Sequence, residues 1–186
     1  MKNIIFTLII ITIELYPLFG QNCPDFKDNV SDDYSYNNEA EDFSLSLNDA
    51  WEIIFENQKA ILVSLSNTSR EGGASVLKNR NGFTITSVHE IPEEINNQLF
   101  TKIGFMDPEK IVTKTFLKNL KVLQIEFNYK VKNLEDTYQM SGLIYELIKD
   151  GNTFVFMFTC PLNKKACYIP FYKSVMKNAY FGPTWY

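Results

Sequence analysis

The sequence predicts an α+β fold, an antiparallel sheet with helices on both faces. Three observations carry that expectation. Apolar residues alternate with polar ones over several short runs, each bounded by turn residues. Residues 153–160 are apolar on both alternations, Phe154, Phe156 and Phe158 on one face and Val155 and Met157 on the other. That is the pattern of a central strand covered on both sides. Finally, two segments switch to helical spacing, one after the early strands and one near the end of the chain.

Taken in order, Phe43, Leu45 and Leu47 alternate first, and Asn48-Asp49-Ala50 makes a turn. Residues 51–55, beginning at Trp51, resume the strand pattern, and Ile61, Val63 and Leu65 continue it to a turn-rich stretch at 66–73. Phe83 and Ile85 begin another strand after Asn81-Gly82. Pro92 then opens a helix, with Glu93 and Glu94 at its positive end. Ile95, Leu99 and Ile103 share one face of it, and Gly104 stops it. A hairpin follows: 111–117 leads to Lys118-Asn119, and 122–130 returns. In the return, Leu123, Ile125, Phe127 and Tyr129 lie on one face and Gln124, Glu126, Asn128 and Lys130 on the other, so this strand is half wet. Residues 138–148 fit a helical stripe through Met140, Leu143, Ile144, Leu147 and Ile148. Against helix, Asp150-Gly151 is a hairpin turn signal with a strand starting at Thr153. The closing helix places Tyr168, Phe171, Tyr172, Val175 and Ala179 at steps of three and four, with Pro170 near its start and Gly182-Pro183 beyond its end.

The N-terminal twenty residues have another layout. Lys2 precedes an apolar run over 4–13, and Leu18-Phe19-Gly20 stands before Gln21. Charged start, short apolar middle and small residue at the cut are the parts of a secretory signal, with cleavage expected between Gly20 and Gln21. An uncleaved anchor is the rival, but ten apolar residues fall short of the roughly twenty that span a bilayer. Cys23 is poorly set for lipidation, since Asn22 precedes it where a small residue is needed. The expected division is a signal at 1–20, an acidic linker at 21–41 and one domain at 42–186. Location follows: secreted or periplasmic, with no stable membrane span after cleavage.

Composition narrows the function. Hydrophobic residues make up 45% and aromatics 15%, enough for a substantial aromatic core. The net charge of −4, without a basic cluster, argues against nucleic acid. The linker's Asp25, Asp28, Asp32, Asp33, Glu39 and Glu41 lack the spacing of a calcium loop and read as a solvated leader. In an oxidising compartment, a Cys160–Cys167 bridge is expected, worth about 2 kcal/mol for so short a loop. A Cys23 bridge to either partner stays open on sequence alone.

Catalytic patterns are weak. His89 is the one histidine, and it reads as a hydrogen-bonded residue at the core edge. No Gly-x-Ser-x-Gly elbow accompanies it, zinc lacks its ligands, and Gly72-Gly73 is a turn, so neither metal nor cofactor is expected. A hydrolase would need a pair such as Glu126 and Glu146. Asn29-Val30-Ser31 and Asn67-Thr68-Ser69 match the glycosylation triplet, which matters only in a eukaryotic secretory pathway.

The order of elements resembles the PsbP-like family, an α/β/α sandwich sharing its fold with a small Ran-binding nuclear transport factor. The resemblance covers about 42–181. It rests on Phe43-Ser44-Leu45-Ser46-Leu47 before Trp51, the Asn119 turn before 122–129, and the run through 138–148, Asp150-Gly151-Asn152, 153–160 and the helix at 168–179. Asn48 stands where the family has proline, and Asn119 where it often has glycine; asparagine tolerates a left-handed turn. The resemblance decides 138–148 as a strand. It implies no active site and no enzyme, because members are mostly accessory, chaperone-like or partner-binding proteins; the photosystem role of the plant founders does not transfer. The expectation is an exported, non-enzymatic protein that binds a partner at an open sheet face or beside the closing helix. Candidate binding residues are Tyr129, Tyr138, Tyr145 and Trp185. The alternative is a carrier of a small ligand or lipid, with an apolar cavity between sheet and helix; a hydrolase ranks below both.

Overall fold

A computed structural model describes residues 23, 35–47, 51–58, 60–80, 87–90, 106–133 and 136–185. The strands are β1 (Ser35–Asn38), β2 (Phe43–Ser46), β3 (Trp51–Gln58), β4 (Ile61–Asn67), β5 (Gly73–Arg80), β6 (Met106–Leu117), β7 (Leu120–Asn133), β8 (Asp136–Lys149), β9 (Asn152–Pro161) and β10 (Tyr180–Phe181). The helix α1 spans Lys165–Asn178, and short 3₁₀ turns occupy Val88–Glu90 and Leu162–Lys164. Seven strands form one sheet in the order β3-β4-β5-β9-β8-β7-β6, and β1-β2-β10 form a second. Every neighbouring pair is antiparallel. The fold is α+β.

The doubly apolar stretch becomes β9, the middle strand of seven. Phe154, Phe156 and Phe158 enter the core beneath α1 with Leu143, Leu147, Tyr168, Tyr172 and Val175. Val155 and Met157 enter a second core on the opposite face with Val88, Leu123, Ile125, Phe127 and Ile144. Residues 138–148 are a strand, although their spacing fits a helix. In β8 both faces are buried from Met140 onward, so apolar residues appear on both alternations, Leu143, Tyr145 and Leu147 on one and Met140, Ile144 and Ile148 on the other, and helical spacing arises without a helix. The Asp150-Gly151 turn has positive φ at both residues, 50° and 71°, the twist a two-residue hairpin needs. In the β6–β7 turn it is Lys118, not Asn119, that takes the left-handed conformation, at φ 54°.

Three expectations need correction. The linker ends earlier than residue 41: β1 pairs with β2, and Tyr36 is buried against Phe43. Acidic Glu41 is held there by Lys78 and Lys149, so charge in this segment does not signal a free leader. The disulfide joins Cys23 to Cys167, with Cα atoms 5.5 Å apart, rather than Cys160 to Cys167. Cys160 lies in β9 and is fully buried in the aromatic core, while Cys167 sits partly exposed in the first turn of α1. The helix also begins three residues before Tyr168, which puts Pro170 inside it on the exposed side, where water can reach the carbonyl freed by the missing N–H. The helix expected from Pro92 to Gly104, and the strand with Phe83 and Ile85, lie outside the described residues. One face of the sheet therefore carries a described helix.

Candidate functional site

The face beneath α1 is unevenly covered. Over β9 and β8 the helix buries Tyr168, Phe171, Tyr172, Val175 and Met176. Farther out, β7 presents Gln124, Glu126 and Asn128, all half-buried, and β6 presents Ile111 and Thr113 beside them. Register fixes the layout: Ile111 lies opposite Glu126, and Thr113 opposite Gln124. The helix meets this floor with charge. Lys173 Nζ donates to Glu126, and Lys165 Nζ donates to Asn128 Oδ1 at 3.2 Å. The result is a shallow groove between α1 and β6, with a polar floor, two lysines on one wall and Ile111, 70% exposed, on the rim.

The half-wet alternation in β7 correctly placed this surface, because Leu123, Ile125, Phe127 and Tyr129 all turn to the opposite core. The four candidate aromatics do not converge there. Tyr145 lies opposite Gln124 at the inner edge of the floor, nearly fully buried, and burial plus the nearby Glu126 carboxylate push its phenol up to about 12. Tyr129 is buried in the opposite core. Tyr138 is partly exposed at the start of β8 and donates to Asp136. Trp185 packs against Phe43, Phe154, Phe156 and Phe181, and its Nε1–H reaches the carbonyls of Glu41 and Asp42 at 3.1 and 3.0 Å. Sequence reading missed Lys165 and Lys173. Their signal was available: they stand apart from the buried stripe of α1, at the edge facing the polar alternation of β7.

The two carboxylates that a hydrolase would pair lie on opposite faces of the sheet. Glu126 faces α1, while Glu146 is opposite Leu123, a member of the other core. Glu146 is nearly fully buried; burial raises its carboxyl to about 7, against the opposing pull of Lys110. His89 is part of the hairpin scaffold. Its Nε2 is 3.1 Å from the Thr115 carbonyl and 3.0 Å from the Val122 carbonyl, so the proton must sit on Nε2 to serve both acceptors. Among the described residues, no group of three or more His, Cys, Asp or Glu is placed to hold a metal. The Asn67 amide is committed internally, donating to Tyr168 Oη at 2.7 Å and Ser69 Oγ at 2.8 Å, which leaves it no room for a glycan in the folded chain.

The fold is similar to that of cyanobacterial PsbP from Synechocystis, at TM-score 0.61 over 80% of this chain and 91% of that one. The fold is PsbP-like. Sequence identity to that structure is only 9%, so what is shared is the fold alone. The PsbP-like fold also matches, at TM-score 0.51, the mycobacterial protein LpqN, described as involved in cell envelope biogenesis in Mycobacterium tuberculosis, with 10% identity over 76% of this chain and 83% of that one. A Bacteroides thetaiotaomicron structure matches at TM-score 0.51 and 11% identity, over 80% of this chain but 48% of its own. No family model and no curated protein matches the sequence. Among the described residues, no helix is long and apolar enough to cross a membrane.

Proposed function

We propose that this chain is an exported, non-enzymatic accessory protein that binds a protein partner in the groove between α1 and β6. The observation that carries the reading is the groove itself. Among the described residues the sheet is only partly covered on β7 and β6, with an exposed isoleucine beside polar groups already held in place by Lys165 and Lys173. Export is supported by the signal-like N-terminus and by the Cys23–Cys167 bridge, since disulfides persist in oxidising compartments. Structural neighbours that include an envelope-associated protein agree with it. The carrier reading wants an apolar space between sheet and helix. That space is occupied by rings: Phe158 stacks on Tyr172 at 4.8 Å, and Trp51 stacks on Phe171 at 5.9 Å.

The test is affinity capture from the extracytoplasmic fraction with the wild-type chain and a Thr113→Arg, Gln124→Arg double variant, whose changes are confined to the groove. The expected result is a partner recovered by the wild type and lost by the variant, with Gln21 as the N-terminus of the exported protein. Equal recovery by both would remove the groove as the binding surface.

A further inference from the structure

We propose that the two outer strands of the seven-stranded sheet, which have no outer neighbour among the described residues, dock on each other between copies of this chain, β3 of one copy against β6 of the next. The edge sequences mirror each other in charge. Glu52-Ile53-Ile54-Phe55-Glu56 in β3 and Lys110-Ile111-Val112-Thr113-Lys114 in β6 share one pattern, charge, two apolar residues, a spacer and charge, with opposite signs. Both edges expose their apolar pair: Ile53 is 51% and Ile54 41% exposed, and Ile111 is 70% and Val112 38% exposed.

Topology sets the direction. Seven strands joined by antiparallel ladders leave the first and last running the same way. Continuing the sheet from one copy into the next, with the helices on the same side, therefore makes a parallel β6–β3 ladder. The faces then agree. Ile53 lies opposite Leu65 and Ile111 opposite Glu126, both on the α1 side. Glu52 lies opposite Ser66 and Lys110 opposite Phe127, both on the other side. In the register Glu52–Lys110, Ile53–Ile111 and Ile54–Val112, an ion pair and two apolar pairs meet on matching faces. Lys110 also faces the buried Glu146, and Lys114 donates to the His89 carbonyl. Beyond Ile54 the β3 bulge turns Glu56 to the α1 side while Lys114 stays on the other, which confines the face match to the first three positions. Pro108, which lacks an N–H to add to a ladder, falls outside this window.

Such a contact is head-to-tail and does not close by symmetry, so assembly grows with concentration. It shares Ile111 with the rim of the groove but does not use the floor residues Gln124, Glu126 and Asn128, so a failure of edge docking would leave the partner reading standing on that floor. The experiment is sedimentation of the disulfide-bonded chain up to about 1 mM, the weak end of specific association. Two single variants, Ile53→Lys and Ile111→Lys, each disable one edge at a solvent-exposed position; circular dichroism checks that they fold. The wild type is expected to gain mass with concentration, and each variant alone to stay monomeric. Mixed one to one, the variants still own one good β3 and one good β6 between them. The mixture is expected to stop at a dimer, at about twofold the monomer mass. A wild type that stays monomeric throughout, variants that associate as the wild type does, or a mixture that remains monomeric would each overturn the proposal.

Discussion

Glu146 is a carboxylate buried within the described core. It stands between Ile144 and Ile148 on β8, in the layer that also holds Leu123 and Val155, and its carboxyl is raised from 4.5 to about 7 by burial, with Lys110 pulling the other way. The folded chain therefore keeps a proton over the interval from about pH 4.5 to about pH 7 that the unfolded chain has released. Stability from this group is greatest at the acid end of that interval and falls as pH rises through it. The full loss is of the order of 3 kcal/mol above pH 7. Glu146→Gln imitates the protonated form at every pH. Urea midpoints should nearly coincide for variant and wild type at pH 4, below both values, and separate in favour of the variant at pH 8; a difference that ignores pH would refute the assignment. Gly142 is a second sensitive position. It lies opposite Phe127 across the β7–β8 ladder, and a Cβ there would come within 2.6 Å of the Phe127 ring and 2.7 Å of the Phe158 carbonyl oxygen. The backbone oxygen cannot swing away as a flexible side chain could. Gly142→Ala should cost about 2–3 kcal/mol, read as a lower thermal midpoint.

At the scale of elements, sequence and structure agree where one face of a strand is wet. The alternation in β7 reports its two faces directly, since Gln124, Glu126 and Asn128 remain half-buried against fully buried Leu123, Ile125 and Phe127. Legibility fails where both faces are dry: β8 reads as a helix because burial erases the period-two signal, and only the Asp150-Gly151 turn and the resemblance in element order identify it. It fails again for distant partners. Cys167 and Cys160 are neighbours in sequence, but strand β9 carries Cys160 into the core while α1 carries Cys167 toward Cys23, 144 residues away. The groove was half legible for the same reason, its floor written in β7 and its wall supplied by a helix far along the chain. The bridge makes a direct prediction. Peptide mapping without reduction should find Cys23 linked to Cys167. Cys160, whose thiol is pushed up to about 12 by burial, should resist alkylation until the chain is unfolded. Rapid alkylation of Cys160 in the native protein would contradict this placement. Closing a loop this long is worth at most about 5 kcal/mol in the chain-entropy account, so Cys23→Ser should lower the thermal midpoint without changing the fold.

Over the whole molecule, a residue near the C-terminus stands at the centre of the contact between the small sheet and the large sheet, beside the Phe43–Phe156 ring contact and the Lys78–Glu41 ion pair. Trp185 bridges to Lys149 at the end of β8, and its ring packs on Phe43 of β2, Phe154 and Phe156 of β9, and Phe181 of β10. Its indole N–H is shared by the carbonyls of Glu41 and Asp42, in the connection between β1 and β2. Lys149 tightens the same corner, donating to the Glu41 carbonyl at 2.6 Å while its ammonium lies 5.6 Å from the Trp185 ring. The C-terminal segment is thus a clasp between two sheets that share no ladder among the described residues. Truncating a buried tryptophan removes both its packing and the donor that those carbonyls face, at a cost of about 3–5 kcal/mol. If Trp185 couples the sheets, Trp185→Ala should do more than lower overall stability. Amide exchange should quicken first in β1, β2 and β10, while β8 and β9 keep most of their protection, because their ladders with β5 and β7 are unchanged. Uniform loss of protection across both sheets would show instead that the small sheet is held by Tyr36, Phe43 and Leu45 alone, without the clasp.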